Sequence, residues 1–229
     1  YLALAKSLVA IATFVVLPMV VQFGIWVLRN DANESVTDHL TGLLNRRGLN
    51  MRFGGLVSAR DGTSIPGDAV VVVIVIDLDR FKSVNDTYGH AMGDAVLVRS
   101  ADRITRAVPS GALVARVGGE EFVVVDIAAP GQATAMSERV RSAIAERADE
   151  APVTASVGVA TVPLTDFAST DVGPHGVLDA AIDCADHAML AVKRSGGDGS
   201  IRRSMLADDG MSCECTASSP CGDTASRKP

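Results

Sequence analysis

The sequence predicts an α+β fold, in which helices pack on a central, mainly antiparallel sheet. Val70 to Ile76 is an unbroken run of β-branched residues, which is typical of a strand buried on both faces. Two short apolar segments, Leu113 to Val117 and Phe122 to Ile127, flank paired glycines and predict a hairpin. Segments with apolar residues at helical spacing alternate with these strands, which indicates that both kinds of element share one core.

The remaining elements follow from the same patterns. Before the first strand, the segment DHLTGLLNRR contains turn residues and then opens a helix, with Asn45 as its N-cap. Later helices are predicted around Leu97, Met136 and Leu178, where apolar residues recur every three or four positions. Two further strands are predicted, a long one at Val153–Val162 and a short edge strand at Ser200–Arg202.

The start of the chain carries most of its apolar excess. Apolar residues make up 48% of the 229 residues, and the mean hydropathy is +0.26. Leu8 to Leu28 is uncharged and long enough to cross a bilayer, which takes a helix of about 20 residues. We therefore predict a transmembrane helix within residues 1–30, either a single span or the last of several. The alternative is a cleaved signal peptide, whose apolar region is usually about 7–15 residues long.

Residues 31–204 are predicted to form the folded domain, and residues 205–229 a disordered tail rich in Ser, Gly and Asp. Cys213, Cys215 and Cys221 of the tail would need a fourth ligand to bind a metal, so reduced thiols are the simpler interpretation. Cys184 lies in a helical pattern and is predicted to be an inert core thiol. The net charge of -6 argues against a general nucleic-acid-binding surface, which requires clustered Lys and Arg.

Two acids, Asp77 and Asp79, follow the buried strand directly. Alternate strand residues share a face, so both carboxylates are predicted to point the same way. Two like charges at this place are costly unless a cation or hydrogen-bond donors compensate them. Mg²⁺ binds such carboxylates together with substrate phosphate oxygens. A turn or helix-capping role for one of the pair is the alternative.

The predicted hairpin has the apex Gly118-Gly119-Glu120-Glu121-Phe122. Paired glycines allow a tight turn and a close approach of the backbone to a ligand. Acids at an exposed turn are commonly just solvated. Here the pair lies between two apolar strands, and antiparallel pairing could bring it beside Asp77.

The segment from Arg80 to Asp94 leaves the first strand and enters a helix, where its first amides could bind phosphate. Asn85 and Asp94 have the donors and acceptors that a guanine edge requires, although each residue alone is more often a cap or turn residue. Lys82 and Lys193 are candidate phosphate-binding cations, with a solvated surface lysine as the alternative.

Together these stretches resemble the GGDEF-domain diguanylate cyclases, from Asp38 to about Gly197. The matching pieces, in the family's order, are DHLTGLLNRR, DLDRFKSVNDTYGHAMGD, RVGGEEF, TASVGVA and ADHAMLAVKRSGG. The resemblance implies a palm-like, ferredoxin-like sheet similar to that of nucleotidyl cyclases. It also implies that the chain condenses two GTP molecules into cyclic di-GMP and releases pyrophosphate. With the predicted span, this places the chain at the cell membrane with its catalytic domain in the cytoplasm.

The resemblance implies a role for each matching residue. Mg²⁺, which Mn²⁺ could replace, would be bound by the side chains of Asp77 and Glu120 and by the carbonyl oxygen of Leu78. Glu120 would also be the acid–base residue, and Glu121 would support the metal or the reacting hydroxyl. The substrate-binding set would be Lys82, Asn85, His90, Asp94, Gly118, Gly119 and Lys193.

Each domain of the family holds one GTP, so the resemblance implies that catalysis requires a homodimer. Two departures from the family pattern are visible. Gly197 stands where the family usually has an Arg that helps hold phosphate. Pro109 and Ala112 occupy the ends of the family's Arg-x-x-Asp product-inhibition motif, which is therefore missing here. The Gly197 departure is the main support for the alternative, a catalytically silent GTP-binding domain that regulates a partner.

Overall fold

The computed structural model describes residues 35–60, 68–146, 150–169, 173–206 and 212–214, together with Met19 and Gln22. The chain divides into two units, Tyr1–Val36 and Thr37–Pro229, and the fold below is that of the second. Its elements in chain order are α1 (Arg46–Arg60), β1 (Val70–Leu78), α2 (Phe81–Tyr88), α3 (His90–Ala107), β2 (Leu113–Arg116), β3 (Glu121–Ala128), α4 (Gln132–Ile144), β4 (Ala155–Pro163), α5 (Asp166–Ser169), α6 (Gly173–Arg194), β5 (Gly199–Leu206) and β6 (Ser212–Glu214).

The strands form one sheet in the order β2-β3-β1-β4-β5-β6. β1 lies in the middle and pairs antiparallel with β3 on one side and β4 on the other. The β4–β5 pair is parallel, whereas the other neighbouring strands are antiparallel. This arrangement fits the predicted palm-like α+β fold.

The sheet is covered by helices on both faces, which explains the unbroken apolar run of β1. All nine residues of β1 are buried. Its even-numbered side chains pack in one cluster with α3 and α4, and its odd-numbered side chains in another with α1 and α6. Burying a Val or Ile side chain contributes about 1.5–3 kcal/mol, so this strand is a major source of stability.

The predicted membrane anchor requires a correction. Among the described residues, no helix is long and apolar enough to cross a bilayer. The long helix α6 illustrates the reason, since it buries one face against the sheet and carries charged residues such as Asp183 and Lys193 elsewhere. A transmembrane helix preceding the domain, and a location at the cell membrane, are therefore not supported. Leu8 to Leu28, apart from Met19 and Gln22, lies outside the described residues.

The C-terminal part also differs from expectation. β5 continues to Leu206 and is not an edge strand, because β6 pairs with it and places Cys213 opposite Met205. Ser212–Glu214 thus form a strand within the segment that was expected to be disordered, most of which lies outside the described residues. Cys184 is buried and disulfide-bonded, so the prediction of an inert thiol there is wrong.

Candidate active site

The end of β1 and the turn between β2 and β3 lie side by side. Asp77 is paired in register with Glu121 across the β1–β3 ladder. The N–H of Leu78 donates to the carbonyl of Glu120 at 3.3 Å. This pairing brings both turn glutamates next to the acid at the end of the central strand.

Asp77 is a buried acid with a nearby cation. Its residue is 4% exposed, and Lys193 Nζ lies 2.6 Å from its Oδ1. The contact is an ion pair, and the same oxygen has no well-aligned hydrogen-bond donor among the described residues. Burial raises the pKa of Asp77, Lys193 opposes that effect, and the charges of Asp79 and Asp186 add to it. Extra positive charge at this oxygen would therefore be favourable.

Glu120 shares this electrostatic environment. Burial raises its pKa, the charge of Asp77 raises it further, and Glu121 adds a smaller effect, while Lys193 acts in the opposite direction. Two acids with raised pKa values facing one ammonium group form a net negative site. Such a site fits a hard divalent cation, which would stabilise the ionised form of both acids.

The ligand groups at this site are too few to enclose a metal ion, so a metal here would need further ligands from substrate or water. In the part of the chain that the structure describes, no group of three or more His, Cys, Asp or Glu could hold a metal ion by itself. Mg²⁺ is usually bound by one or two carboxylates together with substrate phosphates and water. Asp77 and Glu120 could supply the carboxylates. The apolar side chain of Leu78 is fully buried, so this residue could bind a metal only through its backbone carbonyl.

Arg116 fixes the glycine turn. Its Nε and Nη2 donate to the carbonyl of Gly119 at 3.2 and 2.6 Å. Its Nη1 donates to both carboxylate oxygens of Asp38 at 3.1 and 3.2 Å. Asp38 is itself held by the N–H and hydroxyl of Thr41. The segment that leads into the domain is thus connected to the glycine turn through one guanidinium group.

An open cleft of about 460 Å³ lies beside the turn. It is lined by Phe81, Lys82, Asn85, His90, Asp94, Leu97, Arg116, Gly119 and Glu120. The Asn85 side chain packs closely against Gly93 near the start of α3. A Cβ at Gly93 would lie only 1.9 Å from its Oδ1. With a larger residue at position 93 the Asn85 amide would have to move from its present place in the cleft, where Asp94 also lies.

The structure groups the predicted site residues in two neighbouring places. Lys82, Asn85, His90, Asp94, Gly119 and Glu120 line the cleft. Asp77, Leu78 and Lys193 lie at the strand end, connected to the cleft by Glu120. Glu121 lies against Gly118, where a Cβ would meet its carboxylate, and neither residue lines the cleft.

Several residues that shape the candidate site were not predicted from the sequence. Arg116 holds the carbonyl of Gly119, a contact that no local sequence pattern indicates. Asp186 acts on Asp77 from α6, where its helical spacing from Lys193 was the available signal. Phe81 and Leu97 form the apolar part of the cleft. A larger cleft of about 990 Å³ runs along the other side of α2, past Arg80, Tyr88 and Arg141, and contains none of the predicted catalytic carboxylates.

This combination of sheet, acidic strand end and glycine turn is that of a GGDEF domain. The family model described as "Diguanylate cyclase, GGDEF domain" matches residues 35–199. The chain therefore belongs to the GGDEF-domain diguanylate cyclase family.

Individual relatives agree with this assignment. The chain is 35% identical to diguanylate cyclase DgcP of Pseudomonas aeruginosa over 75% of its own length and 24% of that protein. The structure of diguanylate cyclase SiaD of Pseudomonas aeruginosa, solved with its activator SiaC, matches with a TM-score of 0.59 and 31% identity, over 87% of this chain and 74% of that one. The GGDEF domain of DgcB of Caulobacter crescentus, solved with c-di-GMP, matches with a TM-score of 0.58 and 26% identity, over 74% of this chain and 96% of that domain. The chain thus spans about a quarter of the length of DgcP.

Proposed function

We propose that this chain is a diguanylate cyclase, which converts two GTP molecules into one cyclic di-GMP and two pyrophosphates. The observation that carries the proposal is the placement of Asp77, Glu120 and Lys193 around one point at the edge of a nucleotide-sized cleft. The family assignment and the named relatives support the same activity.

Each bond is formed when the ribose 3′-hydroxyl of one GTP attacks the α-phosphate of the other, with pyrophosphate as the leaving group. Asp77, Glu120 and the Leu78 carbonyl would hold Mg²⁺, for which Mn²⁺ could substitute. When bound, that ion lowers the pKa of the attacking hydroxyl and neutralises charge on the phosphates. Glu120, which lies at the glycine turn beside Asp77, would accept the hydroxyl proton. Glu121, the next residue along the chain, would support the metal or the reacting hydroxyl.

Recognition of GTP is assigned to the cleft. Asn85 and Asp94 would bind the guanine edge, because an amide both donates and accepts whereas a carboxylate accepts from N1–H and the exocyclic amine. Lys82 and Lys193 would pair with the phosphates, and His90 lies at the same opening. Gly118 and Gly119 let the turn backbone approach the nucleotide closely.

The reaction requires two of these sites to face each other. One cleft holds one nucleotide, and the hydroxyl and the α-phosphate that react belong to different nucleotides. We therefore infer that the active form is a homodimer. The rate per chain should fall steeply when the protein is diluted below its dimerisation constant, and a rate that is independent of dilution would contradict this inference.

A second candidate function is a catalytically silent GTP-binding domain. It is favoured by Gly197, where no side chain is available to help hold phosphate. Incubating the full chain with GTP and Mg²⁺, and measuring cyclic di-GMP by mass spectrometry, separates the two. Product that disappears in Asp77→Asn supports the cyclase. Saturable GTP binding without product would support the silent domain.

A further inference from the structure

The second acid of the Asp-Leu-Asp motif has contacts unlike those of the first. β1 ends at Leu78, so Asp79 lies in the turn that leads into α2 and does not continue the alternation of the strand. Its Oδ1 accepts a hydrogen bond from Ser156 Oγ at 2.7 Å. Its Oδ2 accepts one from Thr154 Oγ1 at 2.7 Å and another from the backbone N–H of Asp198 at 2.8 Å.

The bond from Asp198 connects the end of β1 to the loop that follows α6. In this loop the N–H of Gly197 donates to the carbonyl of Val192 at 3.1 Å, and the N–H of Gly196 donates to that of Lys193 at 3.2 Å. The loop therefore closes the C-terminus of α6. Because Lys193 belongs to this last turn, its position depends on where the loop is held.

Gly197 shows how closely the loop backbone packs against Asp79. Its φ is +82°, and a Cβ there would lie 2.9 Å from Cγ, Oδ1 and Oδ2 of the Asp79 carboxylate. An L-residue at this position would have to displace the carboxylate or the loop. The loop is also held by an ion pair between Asp198 and Arg141 of α4.

We propose that Asp79 is a positioning residue, which places the end of α6 and thereby orients Lys193 toward Asp77. A carboxylate oxygen has about two lone-pair sites, and both sites of Oδ2 are used by donors of the protein. The three contacts give Asp79 a structural role that is separate from binding a metal. The effect on catalysis rests on the proposed cyclase function, whereas the effect on the loop does not.

The decisive comparison is between Asp79→Asn and Asp79→Ala in the full chain. An amide oxygen can accept both bonds of Oδ2, and its NH₂ group can donate to the Ser156 hydroxyl. Asn therefore keeps all three contacts without the charge, whereas Ala keeps none. We expect Asp79→Asn to retain kcat and the KM for GTP within about threefold, and Asp79→Ala to raise that KM about tenfold or more.

Asp77→Asn is the matched control, because an amide does not replace a carboxylate that binds Mg²⁺, and it should lose about 100-fold or more in rate. A second readout is independent of turnover. Hydrogen exchange of the Asp198 amide, followed by NMR, should be about tenfold faster in Asp79→Ala than in the wild type, and unchanged in Asp79→Asn.

Two results would overturn the proposal. One is a rise in the Mg²⁺ concentration needed for half-maximal activity in Asp79→Asn, which would make Asp79 a metal ligand. The other is a failure of the exchange prediction, which would be either loss of Asp198 amide protection in Asp79→Asn or full protection in Asp79→Ala. If the Ala variant does not fold, the Asn variant decides alone. If the wild type makes no cyclic di-GMP, the exchange experiment still tests the positioning role and only the cyclase proposal fails.

Discussion

Lys193 Nζ lies 2.6 Å from Oδ1 of the buried Asp77, so the cation at the end of α6 faces the acid at the end of β1 directly. Glu120 interacts electrostatically with both groups. Opposite charges on two different elements therefore meet at one point, and each depends on the correct position of the other element.

Glu120→Gln should abolish cyclic di-GMP formation, by about 100-fold or more, because it removes a carboxylate from the site of developing charge. Its free energy of unfolding should change by less than about 0.5 kcal/mol, since the side chain is at a turn and is not part of the core. The assay uses GTP and Mg²⁺, with Glu150→Gln as the control at an exposed position. Near wild-type activity in Glu120→Gln would remove Glu120 from the site.

Asp77→Asn should be inactive but no less stable than the wild type at pH 7. Burial raises the pKa of Asp77 in the folded chain. Between the unfolded and the folded pKa values, the folded state therefore binds more protons than the unfolded state. Stability from this group is present below its unfolded pKa and is lost as the pH rises through the raised value. The neutral amide avoids that loss, and the freed Lys193 is about a third exposed and can reach water.

Thermal unfolding of Asp77→Asn and the wild type from pH 4 to pH 7 checks this prediction. The difference in stability should shift in favour of the variant as the pH rises. A variant that is less stable at pH 7 by more than about 1 kcal/mol would show that the ion pair stabilises the fold on balance.

Arg116→Met should lower both activity and the free energy of unfolding, the latter by about 1–3 kcal/mol, because it leaves Asp38 and the Gly119 carbonyl without their shared donor. Arg106→Met is the control, since Arg106 is exposed and pairs only at the surface with Asp102 among the described contacts. Denaturant unfolding and the cyclase assay measure the two effects. Equal losses in both variants would mean that Arg116 does not act through the turn.

The partner of Arg116 gives a prediction for acid stability. Burial alone would raise the pKa of Asp38, but hydrogen bonds from Thr41 and Arg116 outweigh it and lower the pKa. Its contribution to stability is therefore full above the unfolded pKa and is lost as the pH falls through the lowered value. Asp38→Asn should reduce the stability of the chain near neutral pH, and this difference should shrink on acidification. A constant difference in unfolding free energy would contradict the assignment.

Gly197→Arg is not expected to improve GTP binding, although it restores the residue usual in the family. The backbone there has a φ of +82° and no room for a Cβ beside Asp79. A non-glycine residue in such a conformation costs about 1–3 kcal/mol, so Gly197→Ala and Gly197→Arg should both be destabilised. Gly54→Ala, in open space on α1, should be neutral or slightly stabilised. Tighter GTP binding by Gly197→Arg, measured by calorimetry, would show that the loop can adapt.

Cyclic di-GMP should not inhibit strongly through the turn before β2. Pro109 and Ala112 close that turn by a backbone hydrogen bond of 3.0 Å, and neither side chain can bind phosphate or a guanine edge. The product is titrated into the assay at saturating GTP. Submicromolar non-competitive inhibition, equivalent to binding stronger than about -8 kcal/mol, would contradict this prediction.

Local patterns predicted the parts of the fold that depend on neighbouring residues. The β-branched run of β1 and the hairpin lie where the sequence placed them, and Asn45 caps α1 by accepting a bond from the Gly48 N–H at 2.8 Å. Asn85, His90 and Asp94 line one cleft because a short continuous segment carries all three.

The remaining features depend on contacts between distant parts of the chain. Alternation along β1 predicted that Asp79 would face the same way as Asp77, but the strand ends at Leu78. Donors from the start of β4, from the residue before it and from the loop after α6 bind the Asp79 carboxylate. Arg116 gains its role from Asp38, which is 78 positions away. The apolar segment at the start of the chain predicted a membrane span from composition alone, and no described helix supports it.

The central position of β1 has a consequence for how ligands affect the molecule. Asp77 cannot become disordered without breaking its pairs in two ladders, with Glu121 on one side and Ser156 on the other. Local opening at this acid therefore requires the central strand to separate from both neighbours, and hydrogen exchange of the Asp77 amide should be slow. A nucleotide or ion bound here would raise the stability of the entire domain through mass action. Thermal shift should consequently report occupancy of the site even in variants that no longer turn over.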